Sequence, residues 1–191
     1  MTKGGRDRRS HRHPEYRSAP RRPLVLLAND LDKPSNAGGI LRTAEAFMVE
    51  RVLFDRPEPE TAGAMGAEHW QPVAWAVDPI AVLAHYKSRG YLAVGLEQCG
   101  SALPIQDFSF PERVILVVGS EMFGVSDGVL ELMDALVYIP QAGLVKSLNV
   151  ATAAGIAMYE YARQRWLTGF IQPARHLAPT CASVRVVRED S

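Results

Sequence analysis

The sequence predicts an α/β protein with a parallel sheet that is flanked by helices on both faces. Short apolar runs of strand length recur along the chain, and segments with helical periodicity separate them. This alternation favours a parallel sheet, because each parallel connection needs a crossover that is usually a helix. A chain of 191 residues that is 47% hydrophobic can bury the core of one compact domain.

The elements follow one another in a regular order. The predicted strands are residues 24–28, 51–54, 72–77, 91–96, 113–118 and 136–139. The predicted helices are residues 40–48, 79–89, 126–133 and a final one that begins after residue 149. Polar loops follow four of the strands, at residues 29–39, 97–112, 119–124 and 141–149. Ligands of parallel sheets bind where the strands end, so these loops are the candidate site.

The final helix is predicted to carry a face of small residues. Ser147 is a candidate N-cap, because its hydroxyl can accept from an unpaired amide of the first turn. One face then contains Ala151, Ala154, Gly155, Met158 and Ala162. A glycine inside a helix costs about 1 kcal/mol, which a close approach by another backbone would offset. We expect this face to form the contact of a homodimer; the alternative is packing inside one chain.

Charge is distributed unevenly along the sequence. Residues 1–23 carry eight Lys/Arg and two acidic residues, a net +6, whereas the remainder carries 13 Lys/Arg and 19 acidic residues, a net −6. We therefore divide the chain into a basic disordered arm (1–23), a domain (24–172) and a C-terminal tail (173–191). The arm is expected to contact a polyanion such as RNA; the alternative is a solvated tail without a partner.

Several classes of protein are disfavoured by the same composition. No apolar run is long enough for a signal peptide or a membrane span. The two cysteines do not suggest a disulfide framework or a metal site, so a reducing cytoplasm is the expected location and no metal is expected. A nicotinamide-dependent dehydrogenase would need Gly-x-Gly-x-x-Gly after the first strand, and residues 36–39 do not supply it.

Three segments carry a family resemblance. In residues 32–43 (DKPSNAGGILRT), an Asn stands six positions before an Arg. In residues 117–125 (VVGSEMFGV), a Gly-x-Glu-x-x-Gly turn follows a strand. In residues 139–150, Ile-Pro precedes Lys-Ser-Leu-Asn at the start of the last helix. In this order and spacing, the segments resemble the three motifs of the SpoU branch of the SPOUT RNA methyltransferases, over residues 24–165.

The resemblance implies a fold and an activity. Members of this family thread their C-terminal segment through a trefoil knot, work as homodimers, and use S-adenosylmethionine to methylate ribose 2′-hydroxyls of RNA. The cofactor-binding residues that it implies are Leu96, Glu97, Val118, Gly119, Gly124, Ile139 and Leu148. Residues 32–42 and 66–70 look most like large eukaryotic tRNA D-loop guanosine methyltransferases, so tRNA is favoured and rRNA is the alternative.

The resemblance also implies roles for five catalytic residues. Arg42 is expected to bind an RNA phosphate and to stabilise the developing alkoxide, since a guanidinium keeps its proton in proteins. The substrate's phosphate could then accept the hydroxyl proton; an arginine base would need a strongly depressed pKa. Asn36 is expected to hold ribose or Arg42, and Glu121 to orient Arg42 or a ribose hydroxyl. Ser147 and Asn149 complete the polar wall.

Positive residues are expected to extend the RNA surface from the arm to this wall. The candidates are Arg8, Arg9, Arg12, Arg21, Arg22, Lys33 and Lys146. A protein of the same fold that binds RNA without methylating it is the alternative from another functional class. The intact set of motif residues favours the enzyme.

Overall fold

The computed structural model describes residues 20–167, except residues 32, 34 and 57–62. Seven strands form one sheet, and every paired neighbour runs parallel. The strands are β1 Arg22–Ala28, β2 Val49–Phe54, β3 Val73–Trp75, β4 Leu92–Leu96, β5 Leu103–Pro104, β6 Val114–Val118 and β7 Ala135–Tyr138. Their order across the sheet is β3-β2-β1-β6-β4-β7-β5. The carboxyl ends of β4, β6 and β7 therefore meet at one edge.

Helices cover both faces of the sheet. They are α1 Ser35–Ala46, α2 Pro79–Ser88, α3 Asp127–Leu130 and α4 Val150–Ala162. Alternate residues of β1 separate two cores, because successive strand side chains point to opposite faces. Leu24 and Leu26 join the core under α1 and α4, whereas Val25 and Leu27 join the core under α2 and α3. The predicted fold class is confirmed.

Helix α1 begins earlier than predicted. Residues 35–39 are helical rather than part of a loop. A Cβ on Gly38 would lie 2.6 Å from the backbone nitrogen of Gly63, and one on Gly39 would lie 3.1 Å from the Cβ of Ala151. These glycines therefore allow close packing, which offsets their low helix propensity. Because glycine and serine are also typical of turns, the sequence alone predicted a loop at this helical segment.

The N-cap of the last helix is Asn149, so the prediction of Ser147 is wrong. The Asn149 Oδ1 accepts hydrogen bonds from the backbone nitrogens of Ala151 at 3.1 Å and Thr152 at 3.3 Å. Both residue types cap helices well, and the two positions lie two residues apart. Ser147 lies exposed in the preceding loop.

The small-residue face of α4 is buried inside the chain, so the predicted dimer contact on that face is wrong. Ala154 and Ala162 are fully buried. A Cβ on Gly155 would lie 3.4 Å from Cγ2 of Thr43, so the close neighbour is α1 of the same chain. One turn further on, the rings of Phe47 and Tyr159 lie 6.1 Å apart. Helices α1 and α4 thus run side by side in the same direction.

The domain begins before residue 24. Arg22 opens β1, and its guanidinium lies 4.9 Å from the ring centroid of Trp166. Arg21 forms an ion pair of 2.6 Å with Glu45 and donates to the carbonyl oxygen of Trp70. The boundary of the arm at residue 23 is therefore corrected, and the predicted RNA-binding residues Arg21 and Arg22 belong to the folded domain. Residues 1–19 of the arm and the whole tail lie outside the described residues.

The last turn of α4 and the residues directly after it are hydrogen-bonded to the loop before β6. Gln164 accepts from the backbone nitrogen of Phe110 at 2.9 Å and donates to the carbonyl oxygen of Phe108 at 2.9 Å. The Tyr161 hydroxyl donates to the carbonyl oxygen of Glu112 at 2.6 Å. Burial raises the pKa of Tyr161 to about 12. The passage of this segment through a knot stays a prediction.

Two further segments differ from their predicted form. Residues 97–112 are not an uninterrupted loop, because they contain β5 and a short 3₁₀ turn, Ile105–Asp107. Helix α3 is only four residues long. In the part of the chain that the structure describes, no helix has the length and apolar character needed to cross a membrane.

Candidate active site

The three sequence motifs meet at Glu121. Its Oε1 accepts from Asn36 Nδ2 at 3.1 Å and from Asn149 Nδ2 at 2.6 Å. Asn149 Nδ2 also donates to Asn36 Oδ1 at 2.9 Å, which closes a triangle of side chains. Asn36 comes from the first turn of α1, Glu121 follows β6, and Asn149 caps α4. Three distant segments thus form one polar cluster, which we call the amide–carboxylate triangle.

A cation keeps the carboxylate of this triangle ionised. Lys33 Nζ lies 2.9 Å from Glu121 Oε2. This contact is the main cause that lowers the pKa of Glu121; hydrogen bonds from the Val150 amide and Asn36 lower it further, against partial burial. An anionic Glu121 can accept from several donors at once. Its two oxygens are therefore occupied by partners within the protein.

Glu121 is presented by a tight turn. Ser120 and Gly124 exchange two backbone hydrogen bonds, of 2.9 Å and 3.0 Å. The Ser120 hydroxyl oxygen also accepts from the backbone nitrogens of Met122 and Phe123, both at 3.1 Å. Gly124 has a φ of 72°, in the left-handed region that glycine adopts without strain. We call residues 120–124 the carboxylate turn.

A cavity of about 350 Å³ opens beside the carboxylate turn, at the carboxyl ends of β4, β6 and β7. Its volume lies in the usual range of small-molecule sites, about 300–1,000 Å³. All seven predicted cofactor-binding residues line it: Leu96, Glu97, Val118, Gly119, Gly124, Ile139 and Leu148. Glu121, Lys146 and Ser147 also line it. The cavity thus gathers residues from the second and third motifs.

Glu97 has a structural task in this cavity. Its Oε2 accepts from the backbone nitrogen of Val125 at 3.0 Å, and its Oε1 accepts from that of Gln98 at 3.0 Å. A Cβ on Gly124 would lie only 2.3 Å from the same Oε2. Glu97 therefore ties the end of β4 to the end of the carboxylate turn.

Arg42 lies outside the triangle. It lies six positions after Asn36 in the helix, so the two side chains leave α1 about 120° apart. Arg42 is exposed and makes no hydrogen bond or ion pair to Asn36 or Glu121 among the described residues. Of the two roles expected for Glu121, the contact with Arg42 is therefore wrong within one chain, and the contact with a ribose hydroxyl stays a prediction. Asn36 and Asn149 take the place of Arg42.

One polar residue of the cavity was not among the predicted site residues. Gln141 lies two positions after Ile139 and lines the cavity. Its Oε1 is buried and has no hydrogen-bond partner among residues 20–167 as far as they are described. No periodicity or motif distinguishes a single glutamine after a proline, so its environment is visible only in three dimensions.

Comparison with known proteins identifies the family. The model of the SpoU rRNA Methylase family matches residues 23–159. A tRNA (guanosine(18)-2′-O)-methyltransferase of Mus musculus is 31% identical over 160 residues, which are 78% of this chain and 10% of the mouse protein. The chain therefore spans only a small part of that relative.

Two solved structures share the fold. The TrmH/SpoU tRNA modifying enzyme of Aquifex aeolicus superposes with a TM-score of 0.75 at 27% identity and covers 81% of each chain. The SpoU methyltransferase AviRb of Streptomyces viridochromogenes, in complex with the cofactor AdoMet, gives a TM-score of 0.69 at 28% identity, over 78% of this chain and 60% of that one. The family model covers well over half of the sequence, and the chain belongs to the SpoU rRNA methylase family.

Proposed function

We propose that this chain transfers a methyl group from S-adenosylmethionine to a ribose 2′-hydroxyl of RNA. The observation that carries the proposal is the amide–carboxylate triangle, which joins all three motifs at the edge of a cavity of about 350 Å³. A tRNA substrate is favoured over rRNA, because tRNA is named for the mouse and Aquifex proteins. The family description keeps rRNA as the alternative.

The cavity fits the proposed cofactor in three respects. Leu96, Val118 and Leu148 give it apolar walls for a flat heterocycle. The Glu121 carboxylate at its edge is ionised and favours a cationic ligand. The buried oxygen of Gln141 requires a donor. When bound, S-adenosylmethionine supplies a methyl group on a positively charged sulfur, ready for in-line attack.

The residues of the chain then position the ribose. Glu121 is a poor general base, because its pKa is lowered and both its oxygens are engaged. It instead fixes the two asparagine amides beside the cavity. In this proposal Arg42 binds the RNA phosphate from outside the triangle, and that phosphate takes the hydroxyl proton. Ser147 and Lys146 line the cavity, where they would contact the ribose and the phosphate backbone of the RNA.

A homodimer remains part of the proposal, with a changed surface. The outer face of α4 presents Ile156 and Tyr159, whose exposed fractions are 37% and 50%. Arg42 is exposed on the neighbouring helix α1. A second copy that covers this apolar face would bring its own surface next to Arg42. Light scattering tests this arrangement: Ile156→Glu should yield monomers, and Ile80→Glu on α2, also exposed, should not.

The basic arm and the location complete the proposal. Residues 1–19 are proposed to contact RNA phosphates without reading sequence, so their deletion should flatten the salt dependence of tRNA binding. If the full-length and truncated proteins show the same salt dependence of tRNA binding, the phosphate contacts belong to Lys33 and Lys146 instead. The cysteine content supports the cytoplasm as the proposed compartment.

The central experiment combines methyl transfer with cofactor titration. Purified protein, S-adenosylmethionine and separate tRNA and rRNA transcripts should yield 2′-O-methylated nucleosides, which digestion and mass spectrometry identify. Arg42→Ala should lower turnover by about 100- to 1,000-fold while cofactor affinity persists. Arg51→Ala, a second exposed arginine on β2, is the matched control and should retain activity.

The outcomes separate the competing functions. Cofactor binding without methylated product from either RNA would favour an RNA-binding protein that has lost the chemistry. Binding of a dinucleotide in place of S-adenosylmethionine would favour a dehydrogenase. Near-normal turnover of Arg42→Ala would remove Arg42 from the mechanism but leave the reaction in place.

A further inference from the structure

Gln141 differs from three other polar residues that line the cavity and are not exposed. Glu97, Ser120 and Glu121 all have hydrogen-bond partners within the protein. Gln141 lines the same cavity, and its Oε1 is a buried atom that has no partner in the described part of the chain. An unsatisfied buried acceptor costs about 1–3 kcal/mol, so native proteins keep few of them. A donor on a ligand would satisfy this atom.

The surroundings of Gln141 restrict the chemical class of that donor. Tyr138, Ile139 and Leu148 supply apolar surface to the same cavity. A hydrogen bond to a neutral amide in apolar surroundings does not offset the desolvation cost of a charged ammonium. The Glu121 carboxylate at the cavity edge would attract such an ammonium instead. The amino group of a flat, neutral heterocycle can reach such a position at low cost. The donor is therefore most compatible with an aminopurine.

We infer that Gln141 is a specificity-determining residue that reads the 6-amino edge of the cofactor's adenine. This inference rests on the proposed function, since adenine belongs to S-adenosylmethionine. A glutamine amide can accept from the adenine amino group with Oε1 and donate to an adjacent ring nitrogen with Nε2. A purine ring with hydrogen at position 6 keeps the adjacent ring nitrogen but has no amino donor, so the Gln141 Oε1 would again lack a partner.

The test measures binding rather than activity. Calorimetric titrations compare S-adenosylhomocysteine with its analogue that carries hydrogen in place of the 6-amino group, so that only the amino donor is removed. The intact protein should prefer the amino compound by about 10- to 100-fold, the range expected for one or two buried hydrogen bonds. Gln141→Leu should lower this preference by about tenfold or more.

Two further variants keep the comparison interpretable. Gln106→Leu replaces an exposed glutamine outside the cavity and should leave the preference unchanged. Gln141→Glu retains an acceptor oxygen at the same place, so it should retain a preference for the amino compound. If Gln141→Leu fails to fold, as judged by circular dichroism, the Gln141→Glu titration still decides, because loss of the preference there contradicts the inference.

The possible results distinguish the inference from the proposed function. An unchanged preference in folded Gln141→Leu overturns the role of Gln141 while the proposed function stands. A protein that binds neither compound overturns the proposed function, and the inference with it. Equal affinity of the intact protein for both compounds shows that the 6-position is not read, which also overturns the inference.

Discussion

The two polypeptide segments that form the cavity differ in how firmly the protein holds them. The carboxylate turn, residues 120–124, is closed by two backbone hydrogen bonds and two more to the Ser120 hydroxyl. The segment 141–148, which we call the open loop, makes no hydrogen bond with any described residue. Six of its consecutive residues, 142–147, are exposed.

The two segments therefore have different roles in ligand binding. The carboxylate turn fixes Glu121 and hence both asparagine amides, so this part of the site is formed before any ligand binds. The open loop carries Gln141, Lys146 and Ser147, whose polar groups lack partners that would fix their positions. Segments with few hydrogen bonds open at low cost in free energy. We therefore expect one rigid wall and one wall that the ligand orders.

The largest expected effect comes from adding a methyl group to the rigid wall. A Cβ on Gly119 would lie 2.0 Å from the carbonyl carbon of Gly124 and 2.1 Å from the backbone nitrogen of Val125. Backbone atoms cannot yield by changing rotamer, so Gly119→Ala should cost about 4 kcal/mol or more in the free energy of unfolding. Urea denaturation measures this loss.

Gly143→Ala in the open loop is the matched control. A Cβ there meets no atom within 4 Å. Its free energy of unfolding should change by less than about 0.5 kcal/mol. Similar losses for both variants would contradict the division into a rigid and an open wall.

Amide hydrogen exchange measures the contrast without mutation. The amides of Ser120 and Gly124 both donate to backbone oxygens, so they should exchange about 100- to 1,000-fold more slowly than those of residues 142–147, a difference of roughly 3–4 kcal/mol. Saturating S-adenosylhomocysteine should slow exchange in the open loop more than in the turn. Equal protection of both segments in the free protein would show that the open loop is held by contacts other than hydrogen bonds.

Asn149 joins the two walls, and two substitutions separate its roles. Asn149→Ala removes both the helix cap and the amide donor to Glu121 and Asn36, so it should cost about 1–2 kcal/mol of stability. Asn149→Ser keeps a capping oxygen and should recover part of this loss without restoring the triangle. Equal stabilities for the two variants would mean that the cap contributes nothing measurable. Thermal unfolding of both proteins provides the comparison.

The smallest expected effect concerns the charge of Glu121. Its pKa is lowered in the folded protein from an ordinary value of 4.5, chiefly by Lys33. The stabilisation by its charge is thus complete above that ordinary value and is lost as the pH falls through the lower folded pKa. Since the Lys33 side chain is 66% exposed, the ion pair is screened and the effect should stay below about 1 kcal/mol.

Urea unfolding of the intact protein and Glu121→Gln from about pH 6 to about pH 3 tests this assignment. The intact protein should be the more stable at the upper end, and the difference should shrink towards the lower end. A difference that is constant across the range would show that the charge of Glu121 does not contribute.

The sheet could be predicted from sequence because its strands are buried on both faces. Residues 113–118 read as an apolar run, and β6 is fully buried along its length. The start of α1 could not be predicted in this way, because Ser35, Gly38 and Gly39 favour turns locally. Only the distant contacts with Gly63 and Ala151 explain why a helix forms there.

Some features of the site could likewise be predicted from the sequence, and others could not. The glycine spacing of the carboxylate turn and the residues at the strand ends indicated a cavity, and those residues line it. The partners of Glu121 could not be derived from periodicity, since Asn36 lies 85 positions away and Asn149 lies 28 positions away. The family resemblance supplied the residues of the triangle, but the partners expected for Glu121 were Arg42 or a ribose hydroxyl, not the two amides. Gln141 could not be predicted as a site residue, because the burial of its Oε1 without a hydrogen-bond partner depends on residues that are distant in the sequence.

The strand order has a consequence for the kinetics of folding. Strands β1, β2 and β3 are neighbours both along the chain and in the sheet, so they can pair as soon as that part of the chain exists. The centre of the sheet joins β1 to β6, and each pair, such as Leu24 with Val114, is 90 residues apart. Closing so long a loop costs entropy before its contacts repay it, and high contact order slows folding. We expect the N-terminal strands to assemble first on the ribosome and the cavity, which needs β4, β6 and β7, to form last.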